Sequence, residues 1–310
     1  MFVEVKQLVK RYGDLIALDH LSFGVQKGQI LGLLGPNGSG KTTSINCLLA
    51  LLDYDKGEVL IDGKNMHPEA YDIKKDIGVI MQDVAVFHEL NVYDNINYFC
   101  GLYIKDKKIR KTYVEEAIKF VGLEDYKKFY PNKLSGGLLR RLNIACGIAH
   151  KPKLIILDEP TVAVDPQSRN NILTGIKRLK EEGATIIYTS HYMEEIEQLC
   201  DYIIIIDKGR VVAKGTKEEL KAMITSGETI QIEEIELIKE QLTKIKELPY
   251  VEKIEYDKQS LNIRYTKGNH NLNTLITYLA EEKISFGNLY TAVPTLNDVF
   301  LEITGRGLRD

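Results

Sequence analysis

The stretch that decides the fold is Gly35-Pro36-Asn37-Gly38-Ser39-Gly40-Lys41-Thr42-Thr43. It fits the pattern G-x-x-x-x-G-K-[ST], in which glycines let backbone N–H groups turn inward around phosphate oxygens. Residues 29–34 before it predict a buried strand. Residues 44–52 after it predict a helix, whose N-terminus adds a positive dipole. Lys41 supplies a point charge for the β- and γ-phosphates, and the Thr42 hydroxyl suits Mg²⁺. The sequence therefore predicts a triphosphate site at the end of a strand.

Length, charge and cysteine usage exclude several classes of protein. The 310 residues predict one large domain with a small one. The net charge of −3 argues against a general nucleic-acid binder, which normally carries a basic excess. Four widely spaced cysteines lie in apolar stretches, and we expect them to be reduced core residues: Cys47, Cys100, Cys146 and Cys200.

Membrane-spanning and secretory segments are also not expected. No apolar run reaches the length of a membrane span, and the first residues lack the form of a signal peptide. We therefore expect any membrane role to require a separate chain.

Polar residues follow three further segments in which we predict strands. Gln82 follows residues 77–81, Asp158 and Glu159 follow residues 154–157, and His191 follows residues 184–190. Ligands of open α/β sheets gather at the carboxyl ends of the strands. Asp158 can hold Mg²⁺ there, and Glu159 can orient or deprotonate an attacking water. Gln82 can reach a metal or a water, although a single Gln is more often a surface residue. His191 can hydrogen-bond the γ-phosphate, although a single His is usually structural.

Residues 83–150 are helical in character and predict an insertion in a strand-rich core. They include Leu134-Ser135-Gly136-Gly137-Leu138, which leads into a helix. A Ser-Gly-Gly helix start is either a second anion site or a plain N-cap with flexible glycines. Asp165 with Pro166 predicts the N-cap and first residue of another helix. Tyr12 is either a structural aromatic or a face on which a purine ring can stack.

The last part of the chain predicts a second, smaller unit. We place the domain boundary between residues 223 and 224, with a core domain over 1–223 and an accessory domain over 224–310. The predicted element order β-α-β-β-α-β, with its first helix over residues 234–246, indicates a ferredoxin-like fold. This unit shows no catalytic constellation, so regulatory, binding, dimerisation and structural roles all remain open.

Taken together, the motifs of residues 2–223 resemble the nucleotide-binding subunit of ABC transporters, in that family's order. The correspondence covers the Walker A loop (residues 35–43), the Q-loop glutamine (Gln82), the signature motif (residues 134–138), the Walker B strand (residues 154–158), the catalytic carboxylate (Glu159), the D-loop (residues 162–165), the switch histidine (His191) and the adenine-stacking aromatic (Tyr12). Leu138 stands where the signature motif usually has Gln, which puts one polar contact in doubt. Ala163 is a mild departure in the D-loop.

The resemblance implies an α/β fold: a P-loop NTPase core with an antiparallel β subdomain and a helical insertion, plus a C-terminal α+β domain. It implies ATP and Mg²⁺ as ligands. The implied catalytic residues are Lys41, Glu159 and His191, and the implied metal ligands are Thr42, Gln82 and Asp158. The implied nucleotide contacts are residues 35–43, Tyr12, Gln82, Ser135, Gly136, Gly137 and Asp165.

The resemblance also implies partners, because the chain holds one copy of each motif. Two ATPase subunits would pair head to tail, as a homodimer or a heterodimer. They would drive a separate transmembrane permease, docked on the helical insertion near Phe87, Leu90 and Tyr93. This arrangement places the chain in the cytoplasm, at the inner face of the cell membrane, with no nucleic-acid partner.

Residues 159–169, 189–195 and 294–300 are similar to the antibiotic-export and natural-product-resistance subgroup, which predicts an export ATPase. Two alternatives remain open. One is an importer ATPase with a C-terminal regulatory domain. The other is a soluble ABC protein of translation or DNA repair, although those usually carry two cassettes or a long coiled-coil insertion.

Overall fold

The computed structural model describes residues 1–268 and 270–305, apart from the side chain of Ser226. The chain divides into two compact units, Met1–Lys217 and a second that begins at Glu218. This division falls a few residues before the boundary expected from the sequence. Within the described ranges, no helix combines the length and the apolar character needed to cross a bilayer.

An antiparallel sheet begins the first unit. Its strands are β1 (Val3–Tyr12), β2 (Leu15–Val25), β4 (Lys56–Ile61) and β5 (Lys64–Asn65). They are arranged in the order β2-β1-β4-β5. On β1, Val3 and Val5 are buried and Lys6 is exposed, which is the alternation of a half-buried strand. Tyr12 is the last residue of β1.

A six-stranded sheet forms the centre of the first unit. Its strands are β3 (Ile30–Leu34), β6 (Ile77–Ile80), β7 (Leu154–Asp158), β8 (Thr185–Ser190), β9 (Tyr202–Asp207) and β10 (Arg210–Gly215). The order is β10-β9-β3-β8-β7-β6, and only the edge strand β10 runs antiparallel. Every residue of β3, β7 and β8 is buried, as expected for parallel strands covered on both faces. The carboxyl ends of β3, β6, β7 and β8 therefore share one edge.

The core of the first unit also has helices, which are α1 (Lys41–Leu48), α2 (Tyr71–Lys74), α6 (Pro166–Glu181) and α7 (Met193–Leu199). Of these, α1, α6 and α7 follow the ends of β3, β7 and β8, and α2 precedes β6. The predicted start of α6 is confirmed: the Asp165 carboxylate accepts a hydrogen bond from the Ser168 N–H at 2.9 Å, and Pro166 is the first helical residue. Ile172, Ile176 and Leu179 are spaced three and four residues apart and bury one face of α6.

The predicted helical insertion contains three helices, α3 (Val92–Tyr103), α4 (Lys107–Val121) and α5 (Gly136–Ile148), with 3₁₀ turns at Glu124–Tyr126 and Pro131–Lys133. Helix α4 buries Val114, Ile118 and Val121 on one face. It ends at Gly122, whose φ of 65° is a left-handed conformation that glycine adopts without strain.

The second unit has the predicted order β-α-β-β-α-β. After helix α8 (Lys217–Met223), its elements are β11 (Ser226–Glu233), α9 (Lys239–Lys246), β12 (Val251–Asp257), β13 (Ser260–Thr266), α10 (Asn271–Glu281), β14 (Leu289–Ala292) and α11 (Leu296–Thr304). The antiparallel sheet has the order β12-β13-β11-β14. Its core includes Ile230, Ile232, Leu261, Ile263 and Leu275. The ferredoxin-like arrangement predicted from the sequence is thus confirmed.

The start of α9 was predicted wrongly. The helix begins at Lys239, not at residue 234. Glu234 has a φ of 54°, outside the helical region. The Ile235 N–H donates to the Gln259 carbonyl and the Leu237 N–H to the Tyr256 hydroxyl. The left-handed backbone of Glu234 interrupts the helical conformation, and these contacts hold residues 235–237 against the neighbouring hairpin, so the helix begins beyond them.

Candidate functional site

The phosphate loop joins β3 to α1 and needs its glycines for steric reasons. A Cβ on Gly35 would collide with the Ile206 carbonyl and the Ser39 hydroxyl. Gly40 has a φ of 106°, which side-chain-bearing residues rarely adopt. The buried Ser39 hydroxyl has no hydrogen-bond partner within the described part of the chain. A cradle of N–H groups with an unpaired hydroxyl suits an anion.

Lys41 lies inside this loop, with only 6% of its side chain exposed. Its Nζ donates to the Gly35 carbonyl at 2.8 Å and the Pro36 carbonyl at 3.2 Å. It also lies 3.7 Å from Glu159 Oε1. Burial lowers the pKa of Lys41, and the negative charges of Glu159 and Asp158 partly offset this effect. The ammonium group therefore sits between the loop and the end of β7.

Asp158 joins three elements at the edge of the sheet. Its Oδ2 accepts from the Thr42 hydroxyl of α1 at 3.0 Å, and its Oδ1 accepts from the Thr189 hydroxyl of β8 at 2.6 Å. A carboxylate beside a hydroxyl is the hard oxygen donor set that Mg²⁺ prefers. The two predicted metal ligands Thr42 and Asp158 are thus in direct contact.

Glu159 lies at the centre of this group. Its φ of 49° places it in the left-handed region, at a cost of about 1–2 kcal/mol for a residue with a Cβ. The Thr189 hydroxyl accepts its N–H at 3.0 Å. Its Oε1 faces Lys41, and its Oε2 lies 3.3 Å from His191 Nδ1. The structure therefore brings together Lys41, Thr42, Asp158, Glu159 and His191. With Thr189, we call them the strand-end cluster.

Gln82 and Tyr12 are two predicted site residues that lie outside this cluster. The Gln82 side chain is exposed just beyond β6, and Tyr12 is 49% exposed with Lys10 Nζ 5.3 Å from its ring centre. Among the described residues, neither side chain makes a hydrogen bond to the strand-end cluster. Both are accessible from solvent.

The signature residues lie with the D-loop aspartate at two helix starts. The Ser135 hydroxyl caps α5 by accepting the Leu138 N–H at 3.3 Å. A Cβ on Gly137 would collide with the Ser168 hydroxyl and lie 3.1 Å from Asp165 Oδ2. The Ser168 N–H lowers the pKa of Asp165. Ser135, Gly136 and Asp165 are exposed. We call Ser135, Gly136, Gly137 and Asp165 the signature cluster.

The sequence analysis did not identify Arg140 of α5, which is buried in the structure with 3% exposure. It donates to the Pro160 and Glu159 carbonyls, each at 2.7 Å, and to those of Met81 and Gln82 at 3.0 and 2.8 Å. A signal for it exists. Arg140 follows the buried Gly137 by three residues and precedes the buried Ile144 by four, so it lies on the inward face of the helix.

Glu195 of α7 was also missed and supports the same strand ends. Its buried Oε2 accepts the hydroxyls of Thr161, Tyr188 and Ser190 at 2.9, 2.7 and 2.8 Å. Burial, with the charge of Glu195, raises the pKa of Tyr188 well above its usual value, so the phenol remains a donor. This carboxylate ties the loop after β7 to the end of β8.

Comparison with known proteins agrees with this geometry. The pattern of the ABC transporter family matches residues 18–162, and that of the ATP-binding protein DrrA1-3-like C-terminal domain matches residues 215–304. The linearmycin resistance ATP-binding protein LnrL of Bacillus subtilis (strain 168) is 36% identical over 310 residues, covering 99% of this chain and 100% of the relative. The daunorubicin resistance ATP-binding protein DrrA3 of Streptomyces coeruleorubidus is 34% identical, covering 96% and 93%.

Solved structures agree as well. A dimeric post-hydrolysis structure of the ATP-binding cassette MJ0796, bound to ADP and Pi, is similar with a TM-score of 0.63 and 26% identity. The match covers 69% of this chain and 98% of that one. With a phosphate loop, an acidic strand end and a signature motif in the expected order, this chain belongs to the ATP-binding proteins of the ABC transporter family and is an ATPase.

Proposed function

We propose that two such subunits clasp ATP between them and drive a separate membrane permease that exports a drug- or antibiotic-like compound. One observation carries the proposal. The Glu159 carboxylate lies between Lys41 Nζ and His191 Nδ1, at 3.7 and 3.3 Å, beside the phosphate loop. A base, a fixed cation and a hydrogen-bonding imidazole at one strand end suit the hydrolysis of a phosphoanhydride.

The nucleotide binds along the carboxyl edge of the central sheet. The exposed ring of Tyr12 stacks on adenine, and the N–H groups of residues 35–43 surround the phosphates. The Ser39 hydroxyl faces this cradle unpaired among the described residues, so it has a free donor for a phosphate oxygen. Lys41 can exchange its two carbonyl contacts for the β- and γ-phosphates.

Thr42, Asp158 and Gln82 are the residues that hold Mg²⁺. Thr42 and Asp158 already share a hydrogen bond of 3.0 Å, and the exposed Gln82 follows the neighbouring strand. When bound, the ion neutralises part of the phosphate charge.

Hydrolysis then uses the chain's own side chains. Glu159 accepts a proton from a water whose oxygen attacks the γ-phosphorus. The bond from the γ-phosphorus to the bridging oxygen breaks, and its electron pair leaves with ADP. His191 donates a hydrogen bond to a γ-phosphate oxygen, and Lys41 stabilises the developing charge.

The second half of the site comes from a partner ATPase subunit, either a copy of this chain or a related one. Ser135 and Gly136 are exposed at the N-terminus of α5, where the helix dipole favours a phosphate. They lie with Asp165 and apart from the strand-end cluster. Each subunit would therefore complete the site of the other.

The permease docks on an aromatic surface of the helical insertion. Phe87 and Tyr98 are 41% and 47% exposed, and their ring centres lie 4.8 Å apart. Phe99 stacks on Phe87 at 5.7 Å. Exposed apolar rings in a group mark an interaction surface. Docking there would hold the chain at the inner face of the membrane.

The export assignment and the domain roles rest on similarity. The two relatives described above are named for resistance to linearmycin and to daunorubicin, and residues 215–304 match the DrrA1-3-like C-terminal domain. We assign residues 1–223 to the ATPase domain, with a helical subdomain over about 83–150, and residues 224–310 to an accessory domain.

Glu159→Gln tests this function. We expect turnover to fall at least about a hundredfold, because the base is lost, while ATP binding remains. The variant with ATP should then run at twice the monomer mass by size-exclusion chromatography with light scattering. The matched control is Glu194→Gln, which changes an exposed carboxylate of α7 in the same way. Wild-type turnover in Glu159→Gln would remove this residue from the reaction.

A further inference from the structure

A single buried guanidinium joins two loops of the hydrolysis site. Nε and Nη2 of Arg140 bond the carbonyls of Pro160 and Glu159 beyond β7, and Nη1 bonds those of Met81 and Gln82 beyond β6. Strands β6 and β7 are adjacent and parallel, so the two loops lie side by side. The rigid planar fork of arginine can span both, whereas the ammonium of lysine donates from a single atom.

The same helix holds the next part of the Gln82 segment. Asn143 lies three residues after Arg140, on the same face of α5, and its Oδ1 accepts the Ala85 N–H at 3.1 Å. The Asn95 side chain of α3 makes two hydrogen bonds to the Phe87 backbone. It accepts the Phe87 N–H at 2.8 Å and donates to the Phe87 carbonyl at 2.9 Å. Polar side chains of the helical insertion therefore fix residues 81–87 at several points.

This segment has functional residues at both ends. Its carbonyls at residues 81 and 82 share Arg140 with Glu159, whose left-handed backbone needs outside support. Its other end is the exposed Phe87 of the aromatic surface. Arg140 offers a direct route for a displacement at Phe87 to reach Glu159, because it bonds two carbonyls of this segment and two of the loop after β7.

We propose that Arg140 is a positioning residue that fixes the backbone of Glu159 against the Gln82 segment, so that a partner docked at Phe87 controls the placement of the Glu159 carboxylate. The inference rests on the proposed role of Glu159. Arg140 touches neither the nucleotide nor the attacking water. Its loss therefore affects the rate of hydrolysis and spares nucleotide binding.

Arg140→Met tests this in the full chain, since methionine fills similar space without a donor. We expect kcat for ATP to fall about ten- to hundredfold, as for a misplaced catalytic group. KM, and the Kd for a fluorescent ATP analogue, should stay within about twofold. Arg141→Met is the matched control: the neighbouring arginine bonds the Val121 and Gly122 carbonyls, at the end of α4. It should lower thermal stability and leave kcat within about twofold.

An unchanged kcat in Arg140→Met overturns the inference, and so does an equal loss of kcat in Arg141→Met. Arg140→Lys keeps the proposal testable if the methionine variant does not fold. It retains the charge with fewer carbonyls in reach, so kcat should recover only in part, and a wild-type kcat contradicts the proposal.

Glu159→Gln separates this inference from the function on which it rests. If Glu159→Gln keeps its turnover, the role of Glu159 fails whatever Arg140 does. If Glu159→Gln loses turnover and Arg140→Met does not, only the positioning role fails. In the Glu159→Gln background, adding Arg140→Met should lower kcat no further, because both substitutions act through one carboxylate.

Discussion

The strand-end cluster and the signature cluster differ in how complete they are within one chain. Asp158 and Glu159 are 1% and 8% exposed, and Asp158 receives two hydroxyl hydrogen bonds. Ser135, Gly136 and Asp165 are exposed and serve here as the starts of two helices. The proposed catalytic residues are therefore held inside the fold, whereas the residues proposed to meet the partner's nucleotide face outward. This difference is expected of an enzyme whose activity depends on a second subunit.

The largest expected effect comes from blocking the signature cluster. A Cβ on Gly136 would meet only the Ala163 carbonyl, at 3.9 Å, so a larger residue fits without disturbing the fold. Gly136→Glu places a negative charge where a phosphate is expected, and like charges at an interface cost several kcal/mol. We expect ATP turnover to fall about a hundredfold, measured by phosphate release, with the Kd for ATP of a single subunit unchanged.

Lys107→Glu is the control for Gly136→Glu. It places a glutamate at the first residue of α4, where the helix dipole also stabilises a negative charge. Its turnover should match the wild type. If Gly136→Glu hydrolyses ATP normally, the signature cluster does not face a nucleotide. The proposed division between a buried catalytic cluster and an exposed cluster that completes the partner's site would then be wrong.

A smaller effect is expected from Lys41→Ala within the strand-end cluster. It removes a charge-assisted contact to phosphate, worth about 1.5–3 kcal/mol, so the Kd for ATP should rise about ten- to a hundredfold in isothermal titration calorimetry. The exposed Lys27→Ala is the control. An unchanged Kd for Lys41→Ala would contradict the proposal that Lys41 binds the phosphates of ATP.

The smallest effect is expected from Thr189→Val. This variant tests whether hydrogen bonds within the strand-end cluster hold Asp158 and Glu159 in place. It removes the bond to Asp158 Oδ1 and the hydroxyl acceptor of the Glu159 N–H, which keeps only the Thr189 carbonyl at 3.2 Å. Unfolding in urea should show a loss of about 1–3 kcal/mol, with a lower kcat. Thr185→Val, in the same strand, leaves only the Gly28 N–H without its acceptor. It should cost stability alone, and an equal fall in kcat for both variants would show that the effect is not local to the site.

Much of the strand-end cluster could be predicted from the sequence, since parallel strands end at one edge of a sheet. The run before Asp158 and Glu159 is continuously apolar, and the segment before His191 is rich in β-branched residues, which indicates strands. The ferredoxin-like order of the second unit followed from periodicity in the same way. Arg140 was missed because it bonds groups far along the chain, and Glu195 because a single charge in a helix is usually interpreted as solvent-exposed. The start of α9 was misplaced because Glu234 has a left-handed backbone and residues 235 and 237 donate hydrogen bonds to the neighbouring hairpin.

The sequence by itself determined the phosphate loop, the helix caps and the strands, because these depend on local sterics and on short-range periodicity. Only the tertiary structure decided that Glu159 lies between Lys41 and His191, and that one arginine joins the loops after β6 and β7. These contacts join residues separated by up to about 120 positions. Such contacts depend on strand order and on the packing of α5, which no local pattern encodes.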